Sequence, residues 1–490
     1  MYIPYMEYMS KFTVEDWAKE WLKGQRDAGE KCLEIKISNG KHYVYRSTTR
    51  YDKLDKKPHK VSEYLGVLDK EEGLILRKKK NVTESRIKTI QESGPLRLLD
   101  AVSSDIRNVL AHRFQDLWER IYAMAMLMAI APVRMKNASD KWEKYEPIRG
   151  MAPAMSATSI KTMYQAIGND RETQNLVYHD LSKDAMQIAF DLSEFFSTSG
   201  ELTLAEKGRN PEFDDRNQIN VALACDMETG EPMHSRALFG SIRDVKTLIT
   251  AIKEMGRSDI ILVADRGFYS ESNLKVMSDE GMSFAIPVKR NSAYYDQVIA
   301  GEFDAFVWHE RVIRFGKKPL GNGHYLYRFQ NLDMTSNEEQ NAMKKLMAGS
   351  LDKEKFLELK KRMGHMIIVS NLDKEPEWIY QLYKRRDSVE KDFRRFFEVL
   401  GADSFGVTDS MTAEGMLFVL TLAVRIRIRV SSAIRKSGLD SKYSVEDVLT
   451  AYSKAYSVQK ESGVIDYEVP AKTEKLDREL GLDIFPISRS

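Results

Sequence analysis

Two carboxylates occupy positions where the sequence could use them for metal-dependent chemistry. Asp265 directly follows Ile261–Ala264, a short β-branched run that is typical of a strand buried on both faces. Ile188 and Phe190 alternate on one face of an earlier strand, so Asp191 points to the opposite face. Carboxylates brought close together repel each other unless a cation lies between them, and hard oxygen ligands favour magnesium or manganese.

A third candidate acid lies on a helix predicted to begin at about residue 376. Tyr383, Arg386, Glu390 and Arg394 follow one side of this helix at intervals of three and four residues. One acid among arginines is a poor arrangement for metal affinity alone. It suits a helix that binds phosphates beside a metal.

The elements that must position these acids follow from the periodicity of the chain. Residues 184–290 predict the order β-β-β-α-β-α-β, which favours an α/β fold with a mixed sheet covered by helices. This order resembles ribonuclease H-like domains, in which the strands carrying Asp191 and Asp265 are neighbours. A β-rich and then helical insertion subdomain is predicted over 291–375, and the main domain resumes over 376–432.

Two further regions flank this domain. Residues 1–150 predict an accessory N-terminal region in which a small β unit precedes helices. The basic runs 53–60 and 77–81 in this region fit DNA phosphates or solvated charge equally well. Residues 433–490 form a C-terminal region.

Composition narrows the class of protein. In the 490 residues, 75 Lys and Arg nearly balance 73 Asp and Glu, so a nucleic-acid surface requires local segregation of charge. Cys32 and Cys225 lie in no zinc-binding spacing, which favours a reducing, intracellular setting. No secretory signal is evident, and the longest apolar stretch, 416–424, is well short of the roughly 20 residues that span a bilayer. We therefore expect a soluble cytoplasmic protein without a membrane partner.

The spacing of Tyr383, Arg386 and Glu390 resembles the Tyr-(2)-Arg-(3)-Glu-(6)-Lys signature of DDE transposases from bacterial and archaeal insertion sequences. Over about residues 185–430 the chain is similar to that family. Asp191 in "IAFDLSEFF" corresponds to the first acid and Asp265 in "LVADRGFY" to the second. The signature lysine would be residue 397, which is Phe397 here; Arg394 and Arg395 are the nearby residues that could supply its charge.

The resemblance implies a ribonuclease H-like endonuclease that cuts DNA at transposon ends and joins the freed 3′-OH to target DNA. It implies two Mg²⁺ or Mn²⁺ ions bound by Asp191, Asp265 and Glu390. Tyr383, Arg386 and Arg394 would contact DNA phosphates.

The resemblance also implies partners and a location. Trp308 in the insertion would stack on a flipped base. The N-terminal region would recognise the ends of double-stranded DNA, two ends would be held by a homodimer, and the protein would be nucleoid-associated in a prokaryotic cytoplasm.

Other interpretations of the same residues remain open. Asp191 and Asp265 could each be a strand-end or cap aspartate, the 383–394 side of the helix a solvated face, and Trp308 a packed aromatic. The run 425–430, "RIRIRV", could be an exposed helix face or line a DNA groove. At the level of function, the alternatives are an inactive, repurposed transposase that binds DNA and a metal-dependent nuclease without strand transfer.

Overall fold

The computed structural model describes residues 14–52, 57–76, 86–197, 199–207, 217–241, 246–257, 259–296, 304–399, 404–405 and 407–485. For positions 50–52, 246–248, 252, 388, 390–399 and 404–405 it describes the backbone only. The chain divides into two compact units, Met1–Arg86 and Ile87–Ser490.

The first unit is a small antiparallel sheet with one helix. Its elements are α1 (Asp16–Asp27), β1 (Leu33–Ser38), β2 (Lys41–Asp52), β3 (Lys57–Asp69) and β4 (Gly73–Leu76), and the strand order is β1-β2-β3-β4. Ala18 of the helix and Leu33, Val44 and Leu68 of the sheet form its buried core.

The second unit contains the remaining described elements. Its helices are α2 (Gly94–Arg113), α3 (Trp118–Ile130), α4 (Ala138–Glu143), α5 (Ala157–Asn169), α6 (Arg171–Leu181), α7 (Lys246–Met255), α8 (Glu271–Asp279), α9 (Leu332–Met347), α10 (Lys353–Lys360), α11 (Pro376–Val399), α12 (Ser410–Lys436), α13 (Val445–Tyr452) and α14 (Ala471–Glu479). Its strands are β5 (Ile87–Glu92), β6 (Gln187–Ser197), β7 (Glu206–Lys207), β8 (Asn217–Asp226), β9 (Pro232–Phe239), β10 (Ile261–Ala264), β11 (Ser283–Pro287), β12 (Asp304–Trp308), β13 (Arg311–Gly321), β14 (His324–Asn331), β15 (His365–Ser370), β16 (Ser404–Phe405), β17 (Tyr456–Lys460) and β18 (Ile465–Glu468).

A mixed central sheet organises the second unit. Its strand order is β12-β13-β14-β15-β11-β10-β6-β8-β7, with β9 paired to β8 and β16 to β6. The strand β10 runs parallel to β6 and β11, whereas β8 and β15 are antiparallel to their neighbours. The prediction of a mixed sheet covered by helices is confirmed, and the chain order β6-β8-β9-α7-β10-α8-β11 matches the predicted order apart from the two-residue β7.

The two faces of this sheet carry separate cores because side chains alternate along a strand. Ile188 and Phe190 lie in one buried cluster with Leu262, whereas Ala189 and Val263 lie in the other. The second cluster also contains the apolar residues of α11 and α12. Both faces of the sheet are therefore covered by buried apolar residues, which is why the sequences of β6 and β10 are apolar on both faces.

The compact units and the central sheet of the structure divide the chain differently from the boundaries predicted from the sequence. The unit boundary falls at Arg86, not near residue 150, because α2 and α3 pack on α12 inside the second unit. Segment 291–375, predicted as an insertion subdomain, contributes strands that extend the central sheet through the pairing of β15 with β11. Ser370 Oγ donates to the carbonyl of Phe284 at 2.5 Å across this junction.

Helix α12 is the central helix of the second unit, and its arginines are buried. Arg425 and Arg427 are 5% and 1% exposed. Arg425 donates to the carbonyl of Pro232 at 2.9 Å, and Arg427 donates to that of Ala129 at 2.8 Å. The interpretation of "RIRIRV" as an exposed or groove-lining face is therefore wrong, because these side chains bind backbone carbonyls of surrounding elements. Within the described residues, no helix is both long and apolar enough to cross a membrane.

Two glycines allow α5 and α12 to cross closely. A Cβ at Gly415 would lie 2.0 Å from the carbonyl oxygen of Tyr164, and one at Gly168 would lie 2.0 Å from that of Met411. No side chain fits at such distances without moving a backbone. The crossing holds α12 against the helical layer, and α12 in turn packs against α11.

Candidate active site

Asp191 and Asp265 lie at the same level of two adjacent parallel strands. The last paired residues of β6 and β10 are Phe190 and Ala264, and the two aspartates follow them directly. Neighbouring strands are about 4.8 Å apart, so the two acids are side by side in the backbone. The predicted adjacency of these strands is therefore present in the structure.

The two side chains share one face of the sheet. Asp191 is two residues from Ala189, and Asp265 is two residues from Val263; both apolar residues belong to the cluster that contains α11. Asp265 keeps an extended backbone, with φ −73° and ψ 160°, so the alternation continues through it. Both carboxylates are thus directed to the side of the sheet on which α11 packs.

Neither aspartate acts as a helix cap. Asp191 lies inside β6 rather than at the start of an element. Asp265 precedes a short 3₁₀ turn, Arg266–Phe268, but its side chain makes no cap hydrogen bond. The cap interpretation therefore explains neither position, and the Asp265 side chain is 44% exposed at the sheet edge.

Helix α11 brings Tyr383 and Arg386 to Asp265. Arg386, 5% exposed, places Nη2 3.7 Å from Oδ1 of Asp265. The same nitrogen donates to the hydroxyl of Tyr383 at 3.5 Å, and the guanidinium lies 5.1 Å from the centre of the Tyr383 ring. Tyr383 and Arg386 therefore lie on one side of α11, as their spacing predicts.

The sequence patterns do not single out one further functional candidate. Asp387 lies beside Arg386, with Oδ1 3.4 Å from Nη2, and also pairs with Lys384 at 3.4 Å. Arg386 is therefore held between Asp265 and Asp387. The signal available in the sequence was an acid adjacent to the signature arginine, but a helical wheel alone does not show which strand end that acid faces.

A cavity of about 310 Å³ opens beside these residues. Its aromatic and charged lining consists of Tyr295, Phe329, Tyr380, Tyr383, Asp265, Arg266, Arg290, Lys384 and Asp387. Burial raises the pKa of Tyr380 and of Tyr295, so both hydroxyls remain neutral donors. A larger cavity, about 530 Å³, lies between the β8–β9 turn and the C-terminal half of α12, and Asp265, Tyr383 and Arg386 do not line it.

Trp308 does not line this cavity but contacts Tyr380, which does. The indole is half-buried and meets Tyr380 edge-on, with ring centres 6.1 Å apart. Trp308 pairs with Arg311 across a two-residue turn whose residues, His309 and Glu310, both have positive φ, at 44° and 65°. Such a turn matches the twist of a β-hairpin but is uncommon without glycine or asparagine. The structure thus brings Trp308 to the wall of the site through Tyr380.

The remaining predicted site residues lie outside the described side chains. Glu390 and Arg394 belong to α11, of which only the backbone is described from position 390 to position 399, and Phe397 lies in the same stretch. Glu390 follows Arg386 by one helical turn on the helix that packs against β6 and β10.

The donor set suits a hard divalent cation. Asp191 and Asp265 offer carboxylate oxygens at one level of two strands, and the structure already places a cation, the Arg386 guanidinium, 3.7 Å from Asp265. Among the side chains that the structure describes, no group of three or more His, Cys, Asp and Glu has a metal-binding arrangement.

Comparisons with known proteins give a match to a family model and similarity to a solved structure. Residues 193–426 match the family model described as "Transposase DDE domain", a range that contains Asp265 and Glu390 and begins two residues after Asp191. A search of curated proteins finds no match. Among solved structures, the chain is similar to the piggyBac transposase synaptic complex with hairpin DNA, at 12% identity over 81% of this chain and 86% of that chain, with a TM-score of 0.40.

Proposed function

We propose, from the match of residues 193–426 to the family model described as "Transposase DDE domain", that the protein cleaves DNA at transposon ends and transfers the freed 3′-OH ends to target DNA. The observation that carries the proposal is the placement of Asp191 and Asp265 at one level of two adjacent parallel strands, facing α11. We further propose that the central sheet is a ribonuclease H-like catalytic domain and that the protein serves a prokaryotic insertion sequence.

Asp191, Asp265 and Glu390 would hold two Mg²⁺ or Mn²⁺ ions. When bound, such ions activate the attacking oxygen and stabilise the leaving oxygen of an in-line displacement at a phosphodiester. Asp191 and Asp265 would contribute side by side, because they follow the last residues that pair β6 with β10. The 44% exposure of Asp265 leaves this edge accessible to a DNA backbone.

Arg386 and Tyr383 would position the scissile phosphate. Arg386 is buried beside Asp265, which lines the cavity, and a guanidinium there can bind a phosphate oxygen as well as a carboxylate. Arg266, Arg290 and Lys384 add positive charge around the same cavity. Contacts of this kind orient DNA without reading its sequence.

Outside the acids, four finer assignments complete the proposal. Trp308 would support a flipped base next to Tyr380, and Arg394 would contact the DNA backbone in place of the signature lysine. The N-terminal unit would bind double-stranded transposon ends, and a homodimer would bring two ends together.

Strand transfer from an oligonucleotide duplex tests the function directly. The duplex would carry the inverted repeats that flank the coding sequence, with a plasmid as target and Mg²⁺ present. We expect Asp191→Asn and Asp265→Asn each to reduce joining by about 10²–10³-fold, the scale on which electrostatic stabilisation of a transition state is lost. Asp184→Asn is the matched control, because Asp184 is exposed just before β6.

The same assay separates the competing functions. Cleavage without joining would indicate a metal-dependent nuclease. A protein that shifts the duplex but neither cuts nor joins it would indicate a DNA-binding protein derived from a transposase. Parental activity in both Asn variants would overturn the assignment of the site.

A further inference from the structure

Asp265 lies just beyond the last hydrogen-bonded residues of its strand. The strand β10 pairs with β6 through Ala264 and with β11 through Val263. Asp191, in contrast, lies inside β6 and pairs with Leu223 of β8. The sheet therefore fixes the backbone of Asp191 directly, whereas the position of Asp265 depends on the residues that follow it.

A 3₁₀ turn, Arg266–Phe268, follows Asp265 and is bonded to it. The backbone amide of Phe268 donates to the carbonyl oxygen of Asp265 at 2.9 Å. The carboxylate also lies against this turn, because a Cβ on Gly267 would be 4.0 Å from Oδ2 of Asp265. A shift of the turn would therefore move the Asp265 side chain with it.

Asn273 fixes this turn from the adjacent helix α8. Its side chain is 4% exposed, and Nδ2 donates to the carbonyl oxygen of Phe268 at 2.5 Å. The backbone amide of Asn273 donates to Oγ of Ser270, the N-cap residue of α8, at 3.2 Å. Burial of a side-chain amide is unfavourable unless the amide is hydrogen-bonded, so this contact ties Asn273 to the turn.

The ring of Phe268 connects the turn to the strand that carries Asp191. Phe268 is 5% exposed and meets Phe190 edge-on, with ring centres 5.3 Å apart and an angle of 81° between the ring planes. Phe190 directly precedes Asp191 on β6. Edge-on aromatic pairs have a preferred geometry and contribute more than the burial of their area alone. The contact therefore fixes the turn after one acid against the residue before the other.

The contact from Arg386 does not replace this support. Arg386 approaches Asp265 from the sheet face that packs on α11, with Nη2 3.7 Å from Oδ1. In the proposed function this guanidinium also binds a DNA phosphate. Phe268 is buried in the cluster on the opposite face, which DNA does not reach. Its support of Asp265 is therefore the same with and without DNA.

We propose that Asn273 and Phe268 are positioning residues that set the separation of the two carboxylates at the candidate active site. Asn273 fixes the turn, and the Phe268 ring aligns the turn with Phe190. The carboxylates of Asp191 and Asp265 then approach a divalent cation together. The cation affinity of the site thus depends on side chains that touch neither the cation nor DNA. That the cation is a catalytic Mg²⁺ or Mn²⁺ ion rests on the proposed function.

Binding of Mn²⁺ to the full chain, measured by electron paramagnetic resonance, tests the proposal. Asn273→Leu keeps the size of the side chain but cannot donate to the carbonyl of Phe268. Phe268→Leu keeps an apolar side chain but loses the ring contact with Phe190. We expect each variant to bind Mn²⁺ about tenfold more weakly than the parent, the lower end of the effect of residues that orient metal ligands. Binding would be measured well below the melting temperature of every variant.

Met277→Ala is the matched control for a loss of stability. Met277 is 1% exposed, lies one helical turn after Asn273 on α8 and belongs to the same buried cluster as Phe268. This variant should lower the melting temperature and leave the Mn²⁺ affinity unchanged. A double-mutant cycle gives a second readout. In an Asp265→Asn background, Asn273→Leu should weaken Mn²⁺ binding no further, because the carboxylate that it positions is absent.

Parental Mn²⁺ affinity in both Asn273→Leu and Phe268→Leu would overturn the proposal. So would a loss of affinity equal to that of Met277→Ala, or one that persists in the Asp265→Asn background. Binding of Mn²⁺ that depends on Asn273, in a protein without strand transfer, would contradict the proposed function alone. Strand transfer that requires both aspartates, with parental Mn²⁺ affinity in the Asn273 and Phe268 variants, would contradict the positioning role alone.

Discussion

The guanidinium of Arg386 lies between two carboxylates, with Nη2 3.7 Å from Oδ1 of Asp265 and 3.4 Å from Oδ1 of Asp387. Asp265 follows β10, whereas Arg386 and Asp387 belong to α11, so this contact joins the strand end to the helix. A buried cation at this point neutralises Asp265 and competes with any other cation for it.

Removal of the Arg386 charge is expected to separate metal binding from catalysis. In Arg386→Met, the guanidinium no longer competes with a metal ion for Asp265, so Mn²⁺ should bind several-fold more tightly, as measured by electron paramagnetic resonance. Strand transfer should fall, because the contact with the DNA phosphate is lost. Arg385→Met is the control, since Arg385 is an exposed neighbour on the same helix. Weaker Mn²⁺ binding in Arg386→Met would contradict this account.

Loss of the Asp387 charge is expected to act in the opposite direction. In Asp387→Asn the guanidinium loses one carboxylate partner and interacts more strongly with Asp265, so Mn²⁺ should bind more weakly than in the parent. Asp304→Asn, an exposed position on β12, is the matched control. If Asp387→Asn binds Mn²⁺ as the parent does, Asp387 does not position Arg386.

Substitution of Trp308 tests whether its contact with Tyr380 supports DNA. We expect Trp308→Phe to retain most strand transfer, because a ring can still meet Tyr380 edge-on, and Trp308→Ala to lose activity by more than its loss of thermal stability explains. Equal activity of the two variants would indicate that the indole only packs.

The free energy of unfolding is expected to decrease at acidic pH because of His234. This side chain is fully buried beside Arg171, and burial together with the charges of Arg171 and Arg236 holds its pKa well below the usual 6.5. Below pH 6.5 the unfolded chain binds a proton that the folded chain does not, so stability decreases by up to about 1.4 kcal/mol per pH unit.

The variant His234→Gln should remove this contribution. The glutamine oxygen can accept a hydrogen bond from Arg171 and takes up no proton. In urea denaturation, the difference in free energy of unfolding between the parent and this variant should therefore narrow from pH 7 to pH 5. Parallel curves for the two proteins would exclude His234 as the source.

The buried Arg427 should matter more for stability than the acid it binds. It donates to Ala129 and pairs with Glu446, whose side chain is 53% exposed. We expect Arg427→Ala to lower the free energy of unfolding by about 2–4 kcal/mol. Glu446→Ala should cost less than about 1 kcal/mol. Equal effects in urea denaturation would contradict a role centred on the carbonyl of Ala129.

Local periodicity determined much of the candidate site. Alternation along β6 assigned Asp191 to the face opposite Phe190, and the apolar run before Asp265 marked a buried strand end. Helical spacing placed Tyr383 and Arg386 on one side of α11. These features depend on the period of a strand or helix, which a short window of sequence contains.

Only the tertiary structure decided which distant elements meet. The pairing of β15 with β11 joined 291–375 to the central sheet, and the packing of α2 and α3 on α12 moved the unit boundary to Arg86. The partners that bury Arg427 come from positions 129 and 446, and Asp387 reaches the site only because α11 crosses the end of β10. Such contacts depend on chain segments tens to hundreds of residues apart, and neither periodicity nor residue type records them.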